Sequence, residues 1–189
     1  MLMRVAVYLG SHDGTLPAFC ETAYALGRTL AQKGIGVVYG GANVGTMAAL
    51  AEGVKSASGE CIGVFPEGFK GRPDVARTGR DIRQDGLSQF IVVKDFAERK
   101  QTMEDLSDCC VALPGSWGTM DELFAYATST QLGFNGGKGV YVLNVNGYYD
   151  SLAELIENMY RYGFVDDSAR HLIRVCNSID ELLSYMGVL

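Results

Sequence analysis

Short, continuous apolar runs punctuate this chain, and longer amphipathic stretches separate them. The runs are Arg4–Leu9 (RVAVYL), Gly36–Tyr39 (GVVY), Cys61–Phe65 (CIGVF), Phe90–Val93 (FIVV), Cys109–Leu113 (CCVAL) and Gly139–Leu143 (GVYVL). They are rich in β-branched residues and show no clean polar alternation, as expected of strands covered on both faces of a parallel sheet. Between them the pattern predicts helices. One starts with Pro17 in its first turn and stops at Gly34; a second runs from Gly45 to Gly59. Others are expected over Ala97–Ser107, Thr119–Leu132 and Tyr149–Tyr162, with a short last one at Ile179–Met186. This alternation predicts right-handed βαβ units and an α/β fold: a doubly wound sheet, mostly parallel, with helices on both faces. One segment breaks the rhythm. Pro66–Gln89 is polar and rich in Gly and Pro, long for a connection in a compact domain, and reads as a functional or mobile loop. No repeat, heptad run or linker marks a boundary, so residues 1–189 read as a single domain.

Three of the apolar runs end in Gly-rich turns: Leu9–Gly14 (LGSHDG), Tyr39–Met47 (YGGANVGTM) and Leu113–Met120 (LPGSWGTM). In a doubly wound sheet the strand C-termini share one edge, so all three turns open on the same side. Glycine lets backbone approach a ligand, and helix starts offer free N–H groups with positive partial charge. Gly45-Thr46 and Gly118-Thr119 are two copies of one device, a turn followed by a Thr at a helix start. Two such starts facing one crevice predict a phosphate site, with Ser11, Gly40, Gly41, Gly45, Thr46, Pro114, Gly115, Ser116, Gly118 and Thr119 as candidate lining. Neither turn is a P-loop, because no Gly-Lys-Ser/Thr occurs, and LGSHDG lacks the Rossmann glycine spacing.

Two acids follow the third turn directly. Thr119-Met-Asp-Glu122 has the form of a capping box, which would explain Glu122 as a structural residue. The same spacing places the carboxylate about one turn inside a helix that starts at the crevice, where the dipole favours its ionised form. Both readings stay open at this level. Arg99 and Lys100 sit near the start of another helix, where cations oppose the dipole unless an anion is close. Trp117, the single tryptophan, reads as packing or as a face for stacking a base, with packing preferred.

Composition narrows the function classes. Of the chain, 48% is hydrophobic and 20% charged, as in an ordinary globule. A net charge of −6 argues against binding nucleic acid on a broad basic face. The N-terminal apolar stretch between Arg4 and Gly10 is too short for a signal peptide or membrane span, so a cytoplasmic location and no membrane partner are expected. Five cysteines, no C-x-x-C and two histidines predict neither a disulfide framework nor a metal site. Cys109 and Cys110 read as small core residues.

The string ERKQTMEDLSDCCVALPGSWGTMDELFAYATSTQLG resembles the LOG (Lonely Guy) family of cytokinin riboside 5′-monophosphate phosphoribohydrolases, whose members often carry a lysine decarboxylase label. Arg99-Lys100 matches the family's Arg-Lys pair. Pro114, Gly115, Gly118, Thr119 and Glu122 match its Pro-Gly-Gly-x-Gly-Thr-x-x-Glu motif. VYGGANVGTM is similar to its first Gly-rich turn, and LNVNGYYDSL to a late segment; the likeness runs from about Val5 to Val165. The resemblance implies a Rossmann-like homodimer, without a cofactor, that hydrolyses the N-glycosidic bond of AMP or N6-substituted AMP to free base and ribose 5-phosphate. It implies Arg99 and Glu122 as the catalytic pair and the Gly-rich turns, with Lys100, as the holders of the substrate. The resemblance names no acid for protonating the departing base; Asp121 and solvent are the two candidates.

The chain departs from the family pattern at several positions. Ser116 stands where a second Gly is usual, Ala42 where a third often sits in the first turn, and Phe96-Ala97 where Met-His often precedes Glu-Arg-Lys. Were φ at Ser116 positive, the side chain would be strained; were it ordinary, its hydroxyl could donate to a phosphate, and the second outcome is expected. The competing reading is a non-catalytic nucleotide-binding or cofactor-carrier protein on the same fold. No lysine stands in a recognisable pyridoxal-phosphate context, so the decarboxylase label carries no expectation.

Overall fold

The computed structural model describes residues 3–67 and 86–188. Within them seven strands form one parallel sheet: β1 (Arg4–Tyr8), β2 (Gly36–Tyr39), β3 (Cys61–Pro66), β4 (Gln89–Val93), β5 (Cys109–Ala112), β6 (Gly139–Leu143) and β7 (Ile173–Cys176). Six α-helices accompany them among the described residues: α1 (Pro17–Gln32), α2 (Gly45–Ser56), α3 (Phe96–Asp105), α4 (Trp117–Gln131), α5 (Asp150–Arg161) and α6 (Ile179–Met186). Most of the long connection expected over Pro66–Gln89 falls on 68–85, outside the described residues. The hydrophobic pattern misses only β7. That strand lies at the sheet edge beside β6, and its exposed Arg174 interrupts the apolar run.

Successive strand residues point to opposite faces. In β1, Val5 and Val7 pack with α1, α2 and α6, while Ala6 and Tyr8 pack with α3, α4 and α5. The same division sends Val37 and Tyr39 of β2 one way and Val38 the other. Two hydrophobic layers therefore enclose the sheet, which is why its central strands carry no polar alternation. Four of the five cysteines, Cys61, Cys109, Cys110 and Cys176, are buried in strands, as expected of small core residues. Burial pushes the Cys109 thiol up to about 12.

The strand order is β4-β3-β2-β1-β5-β6-β7. β1 pairs with β2 on one side and β5 on the other, so the winding reverses between β1 and β5. In open α/β sheets, ligands bind beyond the strand C-termini at such a reversal. The helix pair α1 and α2 closes in on one side of it through two glycines. A Cβ at Gly27 would stand 2.3 Å from the Leu50 carbonyl oxygen, and one at Gly53 would stand 2.1 Å from that of Tyr24.

Candidate active site

The Gly-rich turns do meet at the reversal. Thr46, at the start of α2, donates its hydroxyl to the Gly10 carbonyl at 2.9 Å, tying the second turn to the first. Gly45 adopts φ +57°, and a Cβ there would lie 2.4 Å from the His12 amide nitrogen, so the start of α2 rests directly on the chain leaving β1. The first turn also touches the third: a Cβ on Gly10 would lie 3.5 Å from Gly115 Cα. Ser11 is exposed on the rim. Two tyrosines beside α5 brace the third turn from behind. Tyr149 donates to the Leu113 carbonyl at 2.6 Å, and Tyr148 to that of Gly115 at 2.5 Å.

The third turn differs from the expected capping box. α4 begins at Trp117, with Ser116 at its N-cap position, so Thr119 is already inside the helix and cannot cap it. Ser116 has φ −104° and ψ −155°, an ordinary extended conformation, and makes no side-chain capping bond. The residue in place of the family's second glycine is thus unstrained, with an exposed hydroxyl beside unpaired helix-start N–H groups. Gly115 and Gly118 have different reasons to be glycine. A Cβ at Gly115 would stand 2.0 Å from Thr119 Oγ1, whereas one at Gly118 would meet nothing within 4 Å. Among the described residues, packing does not require a glycine at 118.

Glu122 is buried, with 7% of its surface exposed, and Arg99 Nη1 lies 3.2 Å from its Oε1. That contact is an ion pair outside hydrogen-bond geometry, so Oε1 accepts no hydrogen bond from the described residues. Arg99 is itself fixed from two other sides: Nε donates to the Val64 carbonyl of β3 at 3.1 Å, and a Cβ at Gly40 would collide with Nη2 at 2.0 Å. Gly40 therefore makes the seat for the guanidinium. Burial raises the Glu122 carboxyl above the ordinary carboxylate range, and Arg99 opposes that rise. The neighbouring pair repeats the arrangement nearer solvent, with Lys100 Nζ 2.8 Å and 2.9 Å from the two oxygens of Asp121. The two acids after the turn are thus partners of the two cations on α3. Lys100 and Asp121 face each other beside the buried Arg99–Glu122 pair. Asp95 supplies the cap that offsets the cations at the start of α3, accepting from the amides of Ala97 and Glu98.

Trp117 does not pack. It is 89% exposed, which contradicts the packing expected from the sequence. As the first residue of α4 it has no preceding turn to lie on.

Fold and site together define a Rossmann-like α/β protein whose Gly-rich turns meet at the sheet's reversal, with a buried carboxylate–guanidinium pair on α3 and α4. A family model described as "Possible lysine decarboxylase" matches residues 47–186. Cytokinin riboside 5′-monophosphate phosphoribohydrolase LOG1 of Arabidopsis thaliana is 34% identical over 180 residues, 95% of this chain and 80% of that protein. The cytokinin riboside 5′-monophosphate phosphoribohydrolase of Rhodococcoides fascians is 35% identical over 176 residues, 93% of this chain and 85% of that one. The chain belongs to the LOG family. Among solved structures, the molybdenum cofactor carrier protein of Chlamydomonas reinhardtii superposes with a TM-score of 0.71 at 21% identity, over 99% of this chain and 97% of that chain. The molybdenum cofactor binding protein of Rippkaea orientalis gives 0.71 at 21%, over 99% and 96%. At that identity the likeness is one of fold.

Proposed function

We propose that this protein hydrolyses the N-glycosidic bond of a purine nucleoside 5′-monophosphate, AMP or an N6-substituted AMP, releasing the base and ribose 5-phosphate. The observation that carries this reading is the Glu122 carboxylate, buried beside the Gly-rich turns with one oxygen accepting no hydrogen bond from the described residues. Similarity to the LOG phosphoribohydrolases supports the same reaction.

In this reading the turns at Gly45-Thr46 and Gly115–Thr119, with the Ser116 hydroxyl, hold the 5′-phosphate on two helix starts. Breaking the C1′–N9 bond leaves positive charge on the ribose. Glu122 meets that charge where little solvent screens it, so its attraction is greater in the transition state than in the ground state. A water held by the same carboxylate adds its oxygen to C1′ and gives up one proton, and the departing base nitrogen takes up one proton in exchange, so the step is balanced with no net proton released. Arg99 holds Glu122 in place and favours its ionised form.

The test is incubation with AMP and with N6-isopentenyl-AMP, followed by chromatography for free base. Release of adenine or isopentenyladenine is expected, and the ratio of the two rates reports the base preference. Tight binding of AMP with no base released from either substrate would instead favour a nucleotide-binding or carrier role.

A further inference from the structure

We propose that Trp117 is the stacking platform for the purine base, working with Phe96 on the opposite wall of the groove between α3 and α4. This rests on the nucleotide reading above and adds the residues that recognise the base.

Both helices are crossovers of a parallel sheet, so they run in the same direction. Their side-chain contacts advance together, from Lys100 on Asp121 to Glu104 on Ser129. Residues four apart share one face of a helix. Phe96 therefore stands one turn above Lys100 on α3, and Trp117 one turn above Asp121 on α4. Both aromatics thus stand on the N-terminal side of the Lys100–Asp121 and Arg99–Glu122 pairs. Phe96 is 45% exposed and also covers Arg99, whose guanidinium carbon lies 5.7 Å from the ring centroid. Helical Cα–Cβ bonds tilt toward the N-terminus, so Trp117 projects past the start of α4, over the turn that offers its amides to the phosphate.

An indole this exposed makes almost no packing contribution to the fold, and it sits between the proposed phosphate turn and the two ion pairs. A phosphate on the Ser116–Thr119 amides and a ribose above Glu122 leave the base near this groove. A flat purine has a π-face for the indole, and stacking of this kind is tolerant of substituents at the purine edge.

Trp117 is the chain's only tryptophan, so its fluorescence reports on the stack directly. The full-length Glu122→Gln variant, which cannot consume substrate under the proposed mechanism, is titrated with AMP and with ribose 5-phosphate, and calorimetry measures binding of each. AMP is expected to quench the indole saturably. Ribose 5-phosphate is expected to bind and displace AMP while leaving the emission nearly unchanged. In the Glu122→Gln background, Trp117→Leu should weaken AMP binding about tenfold or more without changing affinity for ribose 5-phosphate, and Trp117→Phe should recover part of the loss. Calorimetric AMP binding without quenching, and unaffected by Trp117→Leu, would overturn the stacking role while leaving the nucleotide reading intact. Absence of AMP binding overturns both. An emission maximum already blue-shifted without ligand, together with dissociation of an oligomer by Trp117→Leu, would assign the indole to a subunit interface and also overturn the proposal.

Discussion

At the scale of single residues, the ion pair on the crevice floor sets the chemistry. Glu122→Gln should abolish base release while leaving AMP binding and the fold in place, measured by chromatography, calorimetry and circular dichroism. Its stability carries a signature of its own. Burial raises the folded-state value of Glu122 above that of the unfolded chain. Between those two values the folded protein holds a proton that the unfolded chain has released. The contribution to stability is therefore complete below the unfolded value and is lost as pH rises through the folded one. Gln does not titrate, so the melting temperature of Glu122→Gln minus that of wild type should increase as pH rises from the ordinary glutamate range upward. A difference that does not move with pH would place Glu122 in an unperturbed environment. Gly118 gives a second test. Ala there meets open space and removes a backbone entropy cost of at most about 1 kcal/mol, so Gly118→Ala should melt no lower than wild type. It should nevertheless bind AMP more weakly, because a methyl group then stands at the helix start. The sequence made Arg99 and Glu122 legible as residue types at a spacing. It could not decide between cap and catalyst, because the N-cap lies at Ser116 and that register is fixed by the turn rather than by the Thr-x-x-Glu pattern.

At the scale of elements, the glycines separate packing from function. Gly53→Ala drives a methyl group into the Tyr24 carbonyl at a distance of 2.1 Å, backbone against backbone, so α1 and α2 must part. A loss of about 1–3 kcal/mol is expected, seen as a lower denaturant midpoint. Gly40→Ala makes an equally short contact, but with the end of the Arg99 side chain, which can swing away. It should cost activity out of proportion to stability, and the two variants compared by melting and by turnover distinguish a packed joint from a seat for a functional group. The parallel strands and all six helices were legible because burial on both faces leaves continuous apolar runs and because Pro17, Gly34 and Gly45 punctuate the helices. β7 was not, since an edge strand with Arg174 exposed has no such run. Trp117 was misread for a related reason: composition treats tryptophan as core, and only the start of α4 shows that this one has nothing to pack on.

At the scale of the whole molecule, the folded chain keeps apolar surface away from the crevice as well. Leu132 and Phe134 after α4, and Tyr162 and Phe164 after α5, are all more than half exposed. Large apolar side chains left this exposed fit a subunit contact, and we expect a homodimer in sedimentation at micromolar concentration; a monomer there would leave their exposure unexplained. The sheet makes a further demand. Its all-parallel order brings the starts of α2 and α4 to one edge beside the β1–β5 reversal, where the helix dipoles point their positive ends at the same volume. The protein as a whole carries a charge of −6, so no long-range attraction favours an anion there. Capture of a phosphate has to come from the local amides and the Ser116 hydroxyl, over short distances. Adenosine, which lacks the group those amides hold, should then be a much poorer substrate than AMP. Each lost charged hydrogen bond is worth about 1.5–3 kcal/mol, so kcat/KM should fall by at least about tenfold for one such bond and further for several. Because the contacts are short-range and the protein's net charge has the wrong sign, the AMP-to-adenosine ratio should also survive added salt far better than a long-range electrostatic preference would. Equal turnover of AMP and adenosine would mean that the two helix starts hold no phosphate, whatever else the crevice binds.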